Sequence, residues 1–262
     1  PERLLRAVLL ARLADVLNGT ACLRVETVHR LLDLLETDLP PVPARGNGEP
    51  GDIIPLGHLL RTHFDGTLEI GEGMALINGS PVAAAALGDA ALAGRHRITV
   101  MEQMMALGAV AIHAPAAHYA PELEAAWRDE HQAEAIHNIR RLIETDDHSS
   151  ELPYQAPVSF RSGPRVIGWA RRAQAAAEEC AEIALSASSN NPIFVGPAIH
   201  PPLGAILSNG GYHNPLVAPS LDSLARTWPM CANWLRPRSI ESSKIPEGLW
   251  LPNPNPRSAC CI

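Results

Sequence analysis

The stretch from Gly73 to Ala117 constrains the fold most, because alanine, leucine and methionine fill it and few helix breakers precede Pro115. A run so long and apolar must be buried along most of its length. It reads as one or two long helices, divided near Gly94, and burying them requires others of similar length alongside. The rest of the chain supplies candidates. Leu4, Leu5, Val8, Leu9, Leu13, Val16 and Leu17 recur at helical spacing, with Gly19 as a stop. Val28, Leu31, Leu32 and Leu35 share one face of a second stretch, Val25 to Leu35. Further helices are expected over His131 to Thr145, with Glu134, Asn138 and Arg141 as exposed neighbours, over Val166 to Leu185, and over Asn214 to Trp234.

Between these lie breaks. Pro40, Pro41, Pro43, Pro50 and Pro55, with Gly46, Gly48 and Gly51, force a non-helical connection. Asp146 to Pro164 and residues 186–213 read as loops, and the chain from Ile245 as irregular. Aromatics are only 4% of residues, which disfavours sheets. The expected fold is all-α: a bundle of long, mostly antiparallel helices forming a single domain over residues 1–262. Alanine-rich helices of this kind often finish burying themselves against other subunits, so a homo-oligomer, dimer or tetramer, is expected.

Several function classes recede on charge and spacing. A net charge of −7 is unsuited to a general phosphate-backbone binder, so no nucleic-acid partner is expected, and the Arg95-His96-Arg97 and Arg140-Arg141 clusters read as solvated faces. No apolar run approaches the ~20 residues of a membrane span, so no membrane partner is expected. The start, Pro1-Glu2-Arg3-Leu4-Leu5, has no signal-peptide pattern and no methionine, as in a fragment or a processed chain. Five scattered cysteines fit a reduced compartment, and the cytoplasm is the expected location. His131 and His137 fall on different helix faces, His113 and His118 straddle Pro115, and no C-x-x-C pair exists, so no metal is expected.

Gly46-Asn47-Gly48-Glu49-Pro50-Gly51 satisfies G-x-G-x-x-G. The proline-rich segment before it cannot be a central strand, however, and Pro50 removes an amide that should face phosphate. Nucleotide binding is rejected.

The same segment continues as Gly51-Asp52-Ile53-Ile54-Pro55-Leu56-Gly57-His58, and here it resembles the histidine and phenylalanine ammonia-lyases, where Gly-Ala-Ser-Gly-Asp-Leu leads into Pro-Leu-Ala-His. Glu72-Gly73-Met74-Ala75-Leu76-Ile77-Asn78-Gly79-Ser80 is similar to that family's Glu-Gly-Leu-Ala-Leu-Ile-Asn-Gly-Thr. Val158-Ser159-Phe160-Arg161 stands where the family has Tyr-Ser-x-Arg, and Ser189-Asn190-Asn191-Pro192 where it has Thr-Asp-Asn-Pro. Ser208 to Asn214 stands where it has a Gly-Asn-Phe-His-Gly turn. Five colinear likenesses identify the chain as a member of the aromatic amino acid ammonia-lyase and aminomutase family, and imply the central part of its helical fold.

The resemblance also implies departures. In the family, Ala-Ser-Gly cyclises and loses water to give a methylidene-imidazolone, an electrophile. Here Glu49-Pro50-Gly51 stands in its place. Proline has no hydroxyl to eliminate, so the expectation is a chain with no cofactor. The family's first catalytic tyrosine would precede Pro1, the second corresponds to Val158, and a C-terminal glutamate would follow Ile262. The segment between His58 and Glu72 is shorter than usual.

What the resemblance leaves is a set of roles, each with a plainer alternative. Arg161 would pair with a substrate carboxylate, as a guanidinium fork suits, or serve a structural ion pair. Asn78 would donate to that carboxylate or to nearby backbone, or cap free helix amides. Glu49 is the candidate general base, or an exposed loop residue. Tyr212 is the candidate acid, or packing. His213 and Val158 complete the substrate-binding candidates, and Asp52 and His58 are read as holding the loop. The function expected is lyase- or isomerase-type acid–base chemistry (elimination, isomerisation or cyclisation) on a small carboxylate-bearing or aromatic metabolite, without the electrophile. The alternative is a catalytically inactive homologue acting as a binding module or partner subunit.

Overall fold

A computed structural model describes residues 2–43, 45, 51–64, 66–143 and 155–235. Its helices are α1 (Glu2–Leu17), α2 (Val25–Asp33), α3 (Ile53–Phe64), α4 (Glu72–Ile77), α5 (Pro81–Ala111), α6 (Glu122–Trp127), α7 (Glu130–Ile143), α8 (Val158–Ser186) and α9 (Val217–Leu235). Strands β1 (Ile193–Val195) and β2 (Ala205–Leu207) form a small antiparallel hairpin, with Phe194 opposite Ile206. The mostly helical architecture expected from the sequence is found.

The long helices α5 and α8 are the axis. A side chain at Gly88 would meet Leu185, one at Gly94 would meet Gln174, and one at Gly108 would meet Phe160, so the pair runs antiparallel along its length. Gly94 is therefore a point of close approach rather than a division, and α5 passes through it unbroken. The division lies earlier, where Asn78, Gly79 and Ser80 separate α4 from α5, and Pro81 opens α5 with the fixed φ of a first-turn proline. Helix α8 begins ahead of its expected start and carries Pro164 inside its first two turns. Pro55 likewise sits in the first turn of α3, where its missing N–H leaves no bond unmade. Helix α6 and the β hairpin were not legible, being too short to show a period. Leu31, expected on the apolar face of α2, is buried, whereas Leu32 is exposed and Leu34 is buried in its stead.

Three apolar clusters follow the axis. One joins α1 through Leu9 and Leu13 to Leu31, Leu56, Leu59, Phe64 and Leu76. A middle one packs Leu87 and Ala177 on Val217 and Leu224 of α9. The third joins Met105 and Ala109 of α5 to Ile136, Ile139, Ile167 and Tyr119. The stretch Glu72–Ala111 is long and apolar enough to cross a membrane by length and composition, which the sequence expectation denied. Half of its most apolar window is buried within the bundle, as a core helix would also be.

Candidate active site

The chemistry-bearing residues sit at the two ends of α8. At its C-terminal end the polypeptide turns into 187–191 and packs on α1 and the α4–α5 break. This region is polar and buried at once. Arg12 and Asp15 are spaced three apart on the buried face of α1, 0% and 4% exposed, and pair at 2.8 Å. Arg12 donates to the Asn78 carbonyl at 3.1 Å, to the Ala75 carbonyl, and to Asn190 Oδ1 at 2.7 Å. Asp15 accepts from the Ser189 amide (2.9 Å) and hydroxyl (2.7 Å), and Ser189 Oγ accepts from the Ser80 amide at 2.9 Å. Burial pushes the Arg12 guanidinium down from its ordinary range, opposed by the charge of Asp15. Gly79, at φ +146°, lets the chain approach this knot, since a Cβ there would stand 2.8 Å from Ser189 Oγ and 2.9 Å from an Arg12 nitrogen.

The knot fixes Asn78, itself 6% exposed. Its Nδ2 donates to the Asn191 carbonyl at 2.8 Å, and its Oδ1 is buried without a partner. Gly51 lies opposite. At φ +85° it holds a left-handed conformation, and a Cβ there would come within 2.8 Å of Asn78 Oδ1 and 3.4 Å of Tyr212 Cβ. The Gly79 amide donates to the Gly51 carbonyl at 3.1 Å. Tyr212 is brought there by the 208–212 turn. Asn209 donates from its amide to Asn191 Oδ1 (2.8 Å) and from its side chain to the Asn190 carbonyl (3.1 Å), and accepts from the Gly211 amide (2.7 Å). His213 is exposed; its amide donates to Gly210 at 3.0 Å.

The capping role left open for Asn78 falls to Asp52. Its Oδ2 accepts from the Val82 and Ala83 amides, at 2.8 and 3.3 Å, at the start of α5. Burial raises the Asp52 carboxyl, and those two amides oppose the rise. Glu72, in the same family-like segment, is a buried anchor. It accepts from Arg24 Nη2 (2.8 Å), the Arg24 amide (2.9 Å), Thr27 (2.7 Å) and the Glu69 amide (2.9 Å). Arg24 foremost holds its carboxyl down at about 2.

Arg161 is at the other end. Half-buried in the first turn of α8, it makes one hydrogen bond among the described residues, Nε to the Ala156 carbonyl at 3.0 Å, and no ion pair. His118 accepts from the Ala156 amide at 3.1 Å, and its imidazole is pushed down by burial and then by the charge of Arg161. Val158, beside it, is exposed. At ~1.5 Å per residue, α8 spans about 37 Å from residue 161 to residue 186. At the latter end Asn18 holds the Ser186 carbonyl and Asn78 holds Asn191. Phe160 meets Gly108, about 40 Å along α5 from the Asn78 end. One copy therefore brings Asn78 and Tyr212 together and leaves Arg161 and Val158 far away. The candidate base, Glu49, lies outside the described residues.

A cavity of about 550 Å³ opens between α3 and α4, lined by Ile53, Ile54, His58, Phe64, Leu76 and Ile77 among others, and includes none of the six candidate residues. No group of three or more His, Cys, Asp or Glu suited to a metal occurs among the described residues. Sequence reading missed Arg12, Asp15 and the role of 189–191. The available signal was two charges three residues apart inside the apolar stripe of α1.

The family model described as aromatic amino acid lyase matches residues 1–63 and 65–243. Histidine ammonia-lyase from Anaeromyxobacter dehalogenans is 30% identical over 263 residues, covering 84% of this chain and 50% of that protein. Histidine ammonia-lyase from Streptococcus sanguinis is 27% identical, covering 86% and 48%. The crystal structure of histidine ammonia-lyase from Trypanosoma cruzi superposes with a TM-score of 0.72 at 23% identity, over 89% of this chain and 48% of that one. Phenylalanine ammonia-lyase from Rhodosporidium toruloides gives 0.74 at 19% identity, over 89% and 40%. The chain thus spans about half the length of the curated relatives it matches.

These matches overturn the expectation that the chain carries no cofactor. The family is one whose histidine and phenylalanine members use the methylidene-imidazolone, and the match runs unbroken through positions 49 to 51. The expectation rested on Pro50 alone, which lies outside the described residues. The described surroundings fit such a group: Gly51 is left-handed, and a buried unpartnered carbonyl, Asn78 Oδ1, is aimed at it.

Proposed function

The chain belongs to the aromatic amino acid lyase family, and from that premise we propose that it forms part of an ammonia-lyase-type site. The site would act by acid–base elimination or isomerisation on a small amino acid with an aromatic side chain. Histidine, named in the relatives, is the first candidate. The observation that carries this reading is the buried, unpartnered Asn78 Oδ1 facing Gly51 beside Tyr212. A buried polar group without a partner costs about 1–3 kcal/mol, a cost that a ligand's hydrogen bond would relieve. Asn78 would border the methylidene-imidazolone at positions 49 to 51, whose third residue is Gly51, and that group would supply an electrophile. Tyr212 would move a proton at the same place, and Glu49 would serve as base.

Arg161 would hold the substrate carboxylate. Its guanidinium has no counter-ion among the described residues, so a bidentate carboxylate would satisfy it. Since α8 keeps Arg161 from Asn78 within one copy, the partner proposed is a second copy of the chain whose Arg161 reaches this one's Asn78. A reduced, cytoplasmic setting suits the free thiols of Cys22, Cys180 and Cys231.

The test is ammonia release from L-histidine and L-phenylalanine by the full-length protein. Turnover of at least one is expected, reduced about tenfold or more by Arg161→Met through weaker substrate binding. A full-length protein that neither binds nor turns over any aromatic amino acid would defeat the reading.

A further inference from the structure

We propose that His118 is a positioning residue for Arg161: through Ala156 its neutral imidazole holds the guanidinium where a substrate carboxylate can meet it, and protonation releases that hold. The inference rests on the proposed function and names what orients the anion-binding side of that site.

Residues Ala116–Tyr119 form a short 3₁₀ turn against the start of α8, and two neighbouring side chains of that turn grip the chain on either side of Pro157. Tyr119, 1% exposed, donates its hydroxyl to the Phe160 carbonyl at 3.1 Å. That carbonyl is open to it because its helical partner would be the amide of residue 164, and Pro164 has none. His118 Nε2 accepts from the Ala156 amide at 3.1 Å. On the far side of the same residue, the Ala156 carbonyl accepts from Arg161 Nε at 3.0 Å. Ala156 is 1% exposed and is followed by the fixed φ of Pro157, so a shift at its amide is passed to its carbonyl and on to the guanidinium. With Nε engaged, Nη1 and Nη2 make no hydrogen bond among the described residues and form the fork that suits a carboxylate.

To accept at Nε2, the His118 ring must be neutral and carry its proton on Nδ1. A protonated ring donates from both nitrogens, sets one N–H against another, and leaves the Ala156 amide without its acceptor. Burial, and then the charge of Arg161, pushes the imidazole down and keeps it neutral near pH 7. The charged groups of α6 and α7 beside the turn are engaged with one another. Arg140 donates to the Tyr119 carbonyl at 3.1 Å and to Glu124, and His137 lies against both Arg140 and Glu124.

The probes are L-phenylalanine with L-phenylalaninol, and L-histidine with L-histidinol, each pair differing by the carboxylate. Binding to the full-length protein is read by tryptophan fluorescence in rapid mixing, before turnover. For whichever pair binds, wild type at about pH 7.5 is expected to prefer the acid by about tenfold or more, as a charge-assisted bidentate bond allows. His118→Leu is expected to cut that preference about threefold or more, whereas His118→Gln, whose amide oxygen can take the place of Nε2, keeps it within about twofold. Equal weakening of acid and alcohol by His118→Leu would make the histidine merely structural and overturn the inference. On acidification from about pH 7.5 to about pH 5, the wild-type preference is expected to fall about twofold or more while that of His118→Gln stays flat. Titration of groups that both ligands share cancels in the ratio. A wild-type preference that rises would mean that His118 adds charge rather than position, and an identical fall in His118→Gln would put the titration elsewhere; either result overturns the inference. Should His118→Leu not fold, this pH comparison decides. If wild type binds neither pair, or binds without regard to the carboxylate, the proposed function fails and the inference with it. If it prefers the acid whatever stands at position 118, the inference alone fails.

Discussion

The two ends of α8 spend polar groups in opposite ways. At the Ser186 end, Arg12, Asp15, Ser189 and Asn190 are all buried and satisfy one another, leaving little besides Asn78 Oδ1 and single donors of Arg12 and Asn190 unmet. At the Val158 end the packing is apolar, built on Ile136, Ile139 and Ile167, and Arg161, in the first turn of α8, makes one backbone hydrogen bond among the described residues. The first end is a rigid frame whose charges are structural. The second leaves Arg161 without a counter-ion among the described residues. A buried, paired arginine contributes to folding, while an unpaired, half-buried one is available for binding.

The contrast breaks first if the frame is not structural. Arg12→Met leaves Asp15 as an uncompensated buried anion, and should cost about 3–5 kcal/mol in urea unfolding of the full-length protein. Gly51→Ala should cost about 1–3 kcal/mol, because a left-handed backbone and the 2.8 Å approach to Asn78 Oδ1 both resist a Cβ, and it should weaken ligand binding as well.

Glu72→Gln tests the frame through pH. Its folded carboxyl is held near 2, below the ordinary 4.5, so its contribution is complete above about 4.5 and is lost as pH falls toward 2. Wild type should exceed the variant by about 1–3 kcal/mol at neutral pH, and the gap should close only between pH 4.5 and 2. A gap that stayed constant to pH 2 would deny the low carboxyl pKa. The smallest expected effect is at the other end: Arg161→Met should shift unfolding by no more than about 0.5 kcal/mol while removing carboxylate affinity. A large loss of stability there would make Arg161 structural.

How much of this was legible follows from what each residue depends on. The long helices were, because their burial is periodic: Leu9 and Leu13 on α1, or Ile136 and Ile139 on α7, announce a face. The break at Asn78–Ser80 carried a local signal, Asn78-Gly79-Ser80-Pro81, that was passed over inside an otherwise apolar stretch; what spacing could not show is that Arg12, sixty-six residues away, holds the Asn78 carbonyl there. Helix α8 was begun late because Pro164 was taken as a boundary, yet a proline in the early turns has little preceding helix to disrupt. Asn78, Tyr212 and Gly51 were recognised from family-like segments, and their meeting followed. That Arg161 stands a helix-length away could not be read from spacing, since only the antiparallel packing of α5 on α8 sets it.

Complementation tests most directly whether one site is shared between copies. Asn78→Leu and Arg161→Met, in full-length chains each with little activity, are unfolded together and refolded as a mixture. The account predicts recovery toward about a quarter of wild-type ammonia release, since hybrid oligomers rebuild intact sites from one copy's Asn78 and the other's Arg161. Activity no greater than the sum of the separate variants would contradict it.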